Sequence, residues 1–526
     1  MSKSPKKKPH FRKPARPTGF KRPLRRDDSI GGRVRDGRTF GSEGKPPELG
    51  REVTLQIAAL THTGEGVAHF GGYVLFLRGV LPGERVRAVV TESKRRYGRA
   101  EVLEILHRSP NRITPKCRHF GPCGRCSLQH LAYPEQLRAK ESLLKERLNR
   151  ALPKLRVPVL PTIPMTEIWG TRHKAHFAFG VENGLPVLGH FSAHSRDLVP
   201  VEECPVHHPS ANRTAEAVLD AIRRQGTPVY DEESNTGSLK HLIVRASHAT
   251  DETLALLSTA TPNIPGGQTL GKEVVATAEN TLGVHTNYNP LPGPAVQGVS
   301  FSTLAGKDHL IERVAGIEFL LSPTAFFQTN VAAAEILVGL VLAAIPKEAE
   351  RILDLYCGVG FFSLPLARRG HKVLGVEQNA QAVIDAEASA ERNGIKGAEF
   401  RTGRTEDVIR DLPPGERFPV VVLDPPRDGV PEDVLRLIAR RVAPELIVMV
   451  SCDPESLGRD LAVLAQMGYD AESVQPVDMF PHTMQIESVA IVRRRQGKAT
   501  RASRTTSRVN YEGRSKNRPR GKSRPR

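Results

Sequence analysis

The stretch "RILDLYCGVGFFSLPLARRGHKVLGVEQN", residues 351–379, reads as strand, turn, helix and strand. An apolar run carrying one acid, Asp354, breaks at Gly358 and Gly360 into a segment with helical spacing of its apolar residues. A second apolar run then ends in Glu377. Outward from this unit the alternation repeats. "AQAVIDAEASAERNG" predicts a helix, "PVVVLDPPR" a strand, "EDVLRLIARRV" a helix, "LIVMVSCDP" a strand and "LGRDLAVLAQMG" a helix. Late strands are expected near 471–477 and 486–493, and a helix near 329–345 precedes the whole. Apolar strands separated by amphipathic helices predict an α/β fold, a mainly parallel sheet covered on both faces. Such sheets bind ligands beyond the carboxyl ends of their strands.

Upstream, the pattern is different. Residues 48–106 give short alternating strands with turns at Gly64, Gly66, Gly71–Gly72 and Gly83. Four or five strands in so short a span predict a small β-barrel of the kind that meets nucleic acid. Lys94, Arg95, Arg96, Tyr97 and Arg99 form a basic group suited to RNA phosphate, or else a solvated hairpin end. A helix is expected over roughly 134–150, opening with Pro134. Between 168 and 300, "HKAHFAFG", "LPVLGHFS", "HLIVRAS" and "TLALLSTA" are strand-like, and "NRTAEAVLDAIRRQG" is a helix ending at Gly226.

The formal charge is +19, and its distribution says more than its total. Residues 1–26 hold 11 Lys or Arg and no acid; residues 498–526 hold 11 with one acid, Glu512. The residues between them sum to −2. Both ends lack a core-forming pattern and are suited to non-specific attraction to a polyanion. No apolar run approaches the roughly 20 residues that span a bilayer. The basic N-terminus has no apolar segment behind it, unlike a secretory signal. The expectation is a cytoplasmic, monomeric protein without membrane contact.

Four motifs carry chemistry, three of them at strand ends. In "LDLYCGVG" the glycines let backbone approach a nucleoside, and Glu377 stands where an acid receives a ribose hydroxyl pair. The GxGxxG form that grips a pyrophosphate is missing, so a cofactor without phosphates, S-adenosylmethionine, fits better. In "LDPPR" the prolines fix where Asp424 points, and its carboxylate can accept a hydrogen bond from a nucleobase N–H. In "VSCDPESLGRD" Cys452 lies between a strand and a helix, whose N-terminal amides are expected to lower the thiol pKa. Cys357 sits at a similar turn, so position alone does not choose between the two thiols. In "DMFPHTMQIES" Glu487 interrupts an otherwise apolar strand, where an acid is either paired or poised as a base. A thiol and a base on one pocket are what C5 methylation of uracil requires. "SPTAFFQTN" adds Phe326, Phe327 and Gln328 as candidate pocket residues ahead of a helix capped near Asn330.

Cys117, Cys123 and Cys126 crowd into ten residues, and Cys204 follows far downstream. In a cytosolic chain this argues for a metal rather than disulfides. Four thiolates select zinc or an iron–sulfur cluster; the spacing suits a [4Fe–4S] cube without excluding zinc.

Together, "FFQTN", "LDLYCGVG", "LDPPR", "SCDPESLGRD", "FPHTMQIES", the cysteine set and the barrel resemble the RNA uracil-5-methyltransferase family, in particular its bacterial 23S ribosomal RNA branch. The resemblance covers about 48–495. It implies a Rossmann-like methyltransferase domain over 316–495 and a central α+β domain with an iron–sulfur cluster over 107–315. It also implies a TRAM, OB-like barrel over 48–106 that binds RNA, with basic tails at 1–47 and 496–526. Cys117, Cys123, Cys126 and Cys204 resemble the family's [4Fe–4S] ligands. Gln328, Tyr356, Phe361, Glu377, Arg404 and Asp424 match positions lining the S-adenosylmethionine and base pocket. Cys452 matches the nucleophile and Glu487 the proton-abstracting base, which leaves Cys357 at the cofactor loop. Two departures stand out: Gln485 where the family often has His, and "GTRHKAHF", with Thr171 and His173, where it usually has an aromatic followed by Arg-Asn. Arg172 and Lys174 keep the charge for RNA contact. A transfer-RNA uracil-5-methyltransferase, a cytosine-5 methyltransferase and a non-catalytic RNA-binding or ribosome-assembly protein are the competing readings.

Overall fold

The computed structural model describes residues 44–193, 195–291, 298 and 300–495. The basic tails expected at 1–47 and 496–526 therefore lie outside the described residues, apart from 44–47.

Strands β1 (Glu52–Leu60), β2 (Gly66–Phe70), β3 (Tyr73–Leu77), β4 (Arg85–Ser93) and β5 (Tyr97–His107) close into a barrel in the order β1-β2-β3-β5-β4. The period-two pattern drives this closure: Val53, Leu55 and Ile57 point into the barrel core while Glu52, Thr54 and Gln56 face out. Arg95 and Arg96, at the turn before β5, are exposed.

Helix α1 (Tyr133–Ala151) follows, with Pro134 in its first turn as expected. A seven-stranded sheet comes next, built from β6 (Lys174–Glu182), β7 (Leu185–Phe191), β8 (Leu198–Pro200), β9 (Leu239–Ala246), β10 (Thr253–Thr259), β11 (Thr281–Tyr288) and β12 (Ser300–Gly306). Helices α2 (Pro209–Gln225) and α3 (Gly267–Thr277) share a core with β6, β9 and β10. A hairpin of β13 (Leu310–Val314) and β14 (Ile317–Leu321), turning at Ala315–Gly316, and helix α4 (Val331–Ala344) lead to the second large sheet.

That sheet holds β15 (Arg351–Leu355), β16 (Lys372–Glu377), β17 (Ala398–Thr402), β18 (Val420–Leu423), β19 (Leu446–Ser451), β20 (Tyr469–Val477) and β21 (Glu487–Arg494). Its order is β17-β16-β15-β18-β19-β21-β20; the first five are parallel, and β21 is antiparallel to both neighbours. Alternate residues serve two cores. Ile352, Val420, Val422 and Val448 face α4, α5 (Ser363–Arg368) and α6 (Ala380–Arg392). Leu353, Val421, Leu423 and Ile447 face α8 (Glu432–Leu437) and α9 (Pro454–Gln466). Strand β17 and helix α7 (Thr405–Asp411) escaped the sequence reading because both are short and largely exposed. The predicted helix 432–442 is α8 followed by one wide π turn, Ile438–Val442, closed by left-handed Ala443 ahead of Pro444.

The second sheet is tied to upstream chain. Leu144, Leu148 and Leu152 of α1 and its exit belong to the α8/α9 core. Residues 158–163 run parallel to β20 along its outer edge, with Leu160 N–H donating to Val474 O (3.0 Å) and Ile163 N–H to Pro476 O (2.9 Å). Among the described residues, no helix is long and apolar enough to cross a membrane.

Candidate active site

The strand order reverses between β15 and β18, which opens a crevice at the carboxyl ends of the strands. Cys452 directly follows β19 and Glu487 opens β21. The register pairs Val450 with Val489 and Ser451 with Ser488, so the next rung sets Cys452 opposite Glu487. Asp424 lies one residue past β18, the neighbour of β19. Glu487 is buried, and it starts its strand instead of interrupting it.

Burial raises the Glu487 carboxyl well above its ordinary value, and the Asp424 charge adds to that shift while Arg427 opposes it. Burial likewise raises Asp424. The Cys452 thiol is pushed up to about 12, first by burial and then by Glu487, with Arg427 opposing. This reverses the sequence expectation of a lowered thiol. The amides of α9 are already engaged: the Asp453 carboxylate caps the helix by accepting from Glu455 N–H (3.1 Å) and Ser456 N–H (2.8 Å). Asp453→Ala is expected to cost about 1 kcal/mol of stability, read as a lower denaturant midpoint.

Asp354 is buried one residue before the end of β15. One of its oxygens accepts from Ser363 Oγ (2.6 Å), and the other has no partner. Burial, with Asp424 and Glu377 adding, brings its pKa up to about 7. Tyr356 follows in a left-handed conformation (φ 65°), rare for an aromatic residue and typical of strain kept at ligand sites. Gly358 (φ 54°) presents its N–H to Glu377 Oε2 at 3.1 Å, so the acid at the end of β16 and the glycine turn are held together. At Gly360 a Cβ would stand 3.0 Å from the Phe400 ring. Buried Cys357 packs beneath this loop, its Sγ 2.9 Å from where a Cβ on Gly375 would be.

Gln328 is buried beside the aromatic pair Phe327–Phe361, whose rings meet edge-on at 5.4 Å. Phe326 instead points outward. Asn330 caps α4 through Ala333 N–H, as its sequence position suggested. Arg404 precedes α7 with its side chain 71% exposed and ion-paired to Glu406. The structure thus gathers Cys452, Glu487 and Asp424, joins Glu377 to the glycine loop, and leaves the Arg404 guanidinium in solvent.

Several supporting residues were not legible from sequence. The loop between β20 and Glu487 is gripped by α1. Lys140 and Asp478 form a fully buried ion pair, and Lys140 Nζ also donates to Phe480 O (2.9 Å). Tyr133 OH donates to Asp478 (2.8 Å), and Gln136 Oε1 accepts from His482 N–H (2.9 Å). Arg427, in "LDPPR", is the cation that faces both Cys452 and Glu487.

The four candidate ligand cysteines come together: every pair among Cys117, Cys123, Cys126 and Cys204 is electrostatically coupled. Among the described residues, no three of these sulfurs lie within 4.8 Å of one another. Cys204 does lie within that distance of His190 and His207. Cys126 and Cys204 line a cleft shared with Arg172, Thr329 and Phe480.

Residues 46–103 match the model of the TRAM domain, and residues 346–488 match that of a methyltransferase domain. An uncharacterized RNA methyltransferase of Halalkalibacterium halodurans is 36% identical over 442 residues, spanning 84% of this chain and 96% of that protein. Another from Thermosynechococcus vestitus is 36% identical over 448 residues, spanning 85% and 98%. Among solved structures, the Pyrococcus abyssi tRNA (uracil-54, C5)-methyltransferase in complex with S-adenosyl-L-homocysteine is similar at a TM-score of 0.66. It is 27% identical, over 83% of this chain and 99% of that one.

Proposed function

Since this chain carries a TRAM domain and belongs to a family of RNA methyltransferases, we propose that it methylates C5 of a uracil in 23S ribosomal RNA with S-adenosylmethionine as donor. The observation that carries the reading is Cys452 set opposite Glu487 across β19 and β21, with Asp424 at the adjoining strand end.

The donor, when bound, supplies an electrophilic methyl; everything else falls to the chain. Cys452, which is only partly buried, loses its proton to solvent, and its sulfur bonds to C6, which makes C5 nucleophilic. Once C5 carries the methyl, Glu487 removes the C5 proton. The C5=C6 bond re-forms, the C6–S bond breaks, and the thiolate is released. Burial that raises the Glu487 pKa makes it a stronger base. Asp424 accepts a hydrogen bond from the base N–H. Glu377, held against Gly358, is placed for the donor's ribose, and Gln328, Tyr356 and Phe361 line the rest of the pocket, with Arg404 at its rim. The exposed arginines of the barrel supply phosphate contacts, while Arg172 is largely buried in the cleft beside Cys126 and Cys204.

Cys117, Cys123, Cys126 and Cys204 fit a [4Fe–4S] cluster as a structural group. A single zinc would draw four sulfurs to roughly 3.8 Å apart, closer than any three of them come here. The barrel and the cysteine set together favour ribosomal RNA. The similarity to an enzyme named for tRNA uracil 54 favours the second reading, transfer RNA. Mapping 5-methyluridine across total RNA with and without this protein decides. Loss of one or more sites from 23S RNA, with transfer RNA unchanged, is the expected result. Loss from transfer RNA alone selects the second reading, and no loss anywhere refutes the uracil-C5 assignment.

A further inference from the structure

Three histidines away from the crevice converge from separate elements. His173 precedes β6, His208 precedes Pro209 at the start of α2, and His248 lies in the turn between β9 and β10. One ring nitrogen from each lies within 4.8 Å of the other two. The His173 ring centroid is 4.8 Å from that of His208 and 5.4 Å from that of His248, the latter edge-on.

Hydrogen bonds fix the tautomer of His173. His173 Nδ1 faces the carbonyl oxygens of Thr171 (3.0 Å) and Thr329 (3.3 Å). A carbonyl only accepts, so Nδ1 carries the proton and Nε2 presents a lone pair. That Nε2 is buried and has no hydrogen-bond partner. A buried polar atom left unpaired is costly, and something that accepts the lone pair would relieve it. His208 Nδ1 lies 2.7 Å from Ser210 Oγ and 3.6 Å from the Asp251 carboxylate, so Nε2 is the nitrogen left to serve as a ligand. Carbonyls behind His173, and a hydroxyl with a carboxylate beyond it behind His208, are partners of the kind that orient metal-bound histidine.

We infer that His173, His208 and His248 form a site for one divalent transition ion of the zinc class. An all-imidazole set disfavours magnesium and calcium, which take oxygen ligands. Zinc–nitrogen bonds of 2.0–2.1 Å require ring nitrogens roughly 3.4 Å apart; exposed His248, in its turn, closes the difference. His173 is also one of the positions where the chain departs from the family pattern. Its backbone N–H donates to Thr329 O (2.7 Å), the residue after Gln328. The ion therefore ties the start of β6, the start of α2 and the β9–β10 turn to the segment that carries Gln328.

The test is zinc content and Zn2+ titration of the full-length protein, stripped of adventitious zinc with its iron retained, for wild type, His248→Gln, His208→Gln and Asp251→Asn. Wild type should bind one zinc per chain. His248→Gln and His208→Gln should weaken binding at least ~100-fold, and Asp251→Asn ~10–100-fold, with iron content unchanged in all. His248 is exposed and the Asp251 side chain is 45% exposed, which keeps folding out of the comparison, and melting curves check it. Co2+ in place of Zn2+ should give the absorption bands of a nitrogen-ligated tetrahedral site in wild type alone. If His248→Gln and His208→Gln bind zinc like wild type, or wild type binds none at micromolar concentration, the inference is wrong. The first of those results would point to His190, His207 and Cys204, which these variants leave intact.

Discussion

Glu487→Gln should halt the reaction with RNA covalently attached to Cys452. Its carboxylate is the group placed opposite the thiol, and with an amide there the C5 proton stays after the methyl has arrived. The C6–S bond then cannot be expelled. Turnover should fall roughly 10²–10⁴-fold, the usual worth of a positioned base. A methylated RNA–protein adduct should survive denaturing electrophoresis and appear by mass spectrometry on the peptide containing Cys452. Cys452→Ala should give neither adduct nor turnover while binding RNA within about threefold of wild type, because affinity rests on phosphate contacts elsewhere. Free methylated RNA released by Glu487→Gln at the normal rate would remove Glu487 from the mechanism. Residual turnover by Cys452→Ala would remove the thiol.

The second large effect concerns stability. Lys140→Met should lower the melting midpoint by roughly 6–20 °C, because it strands the buried Asp478 charge at a cost of about 3–5 kcal/mol. Both partners are fully buried, and Tyr133 and the Phe480 carbonyl complete the network. The double variant Lys140→Met/Asp478→Leu should recover most of the loss, since an apolar pair of similar volume replaces the ions without leaving either one unpaired. A single variant that melts like wild type would show that the pair does not hold the loop. The same single variant should lose activity beyond its loss of folded protein, because Asp478 anchors the segment that delivers Glu487.

Much of this architecture could be read from residue pattern. Alternating apolar periods of two and of 3.6 located the barrel, α1, α2 and the strands on either side of Cys452. Local chemistry was less legible. The motif "VSCDPESLGRD" suggested a thiol activated by helix amides, yet Asp453 occupies them, and burial, with Glu487 adding, raises the thiol. Asp354 reads as a strand-end acid but is buried within the strand, with one oxygen unpaired. Position alone left Cys357 and Cys452 equivalent. Three-dimensional placement separates them: Cys357 packs under the glycine loop, whereas Cys452 shares a rung with Glu487. Lys140 carries no signal in its own segment, since its meaning comes from a partner 338 residues later.

The run of chain along β20 has a consequence for how this protein can be divided. A bare sheet edge offers unpaired amides and carbonyls to any passing strand. Residues 158–163 occupy that side of β20, so the outermost strand of the sheet that carries Cys452 and Glu487 is capped by a piece of backbone from far upstream. A fragment beginning at residue 316 would lack that cap and would offer an open template for self-association. Shuffling the catalytic sheet onto another partner, by evolution or by design, therefore means moving residues 133–163 along with it.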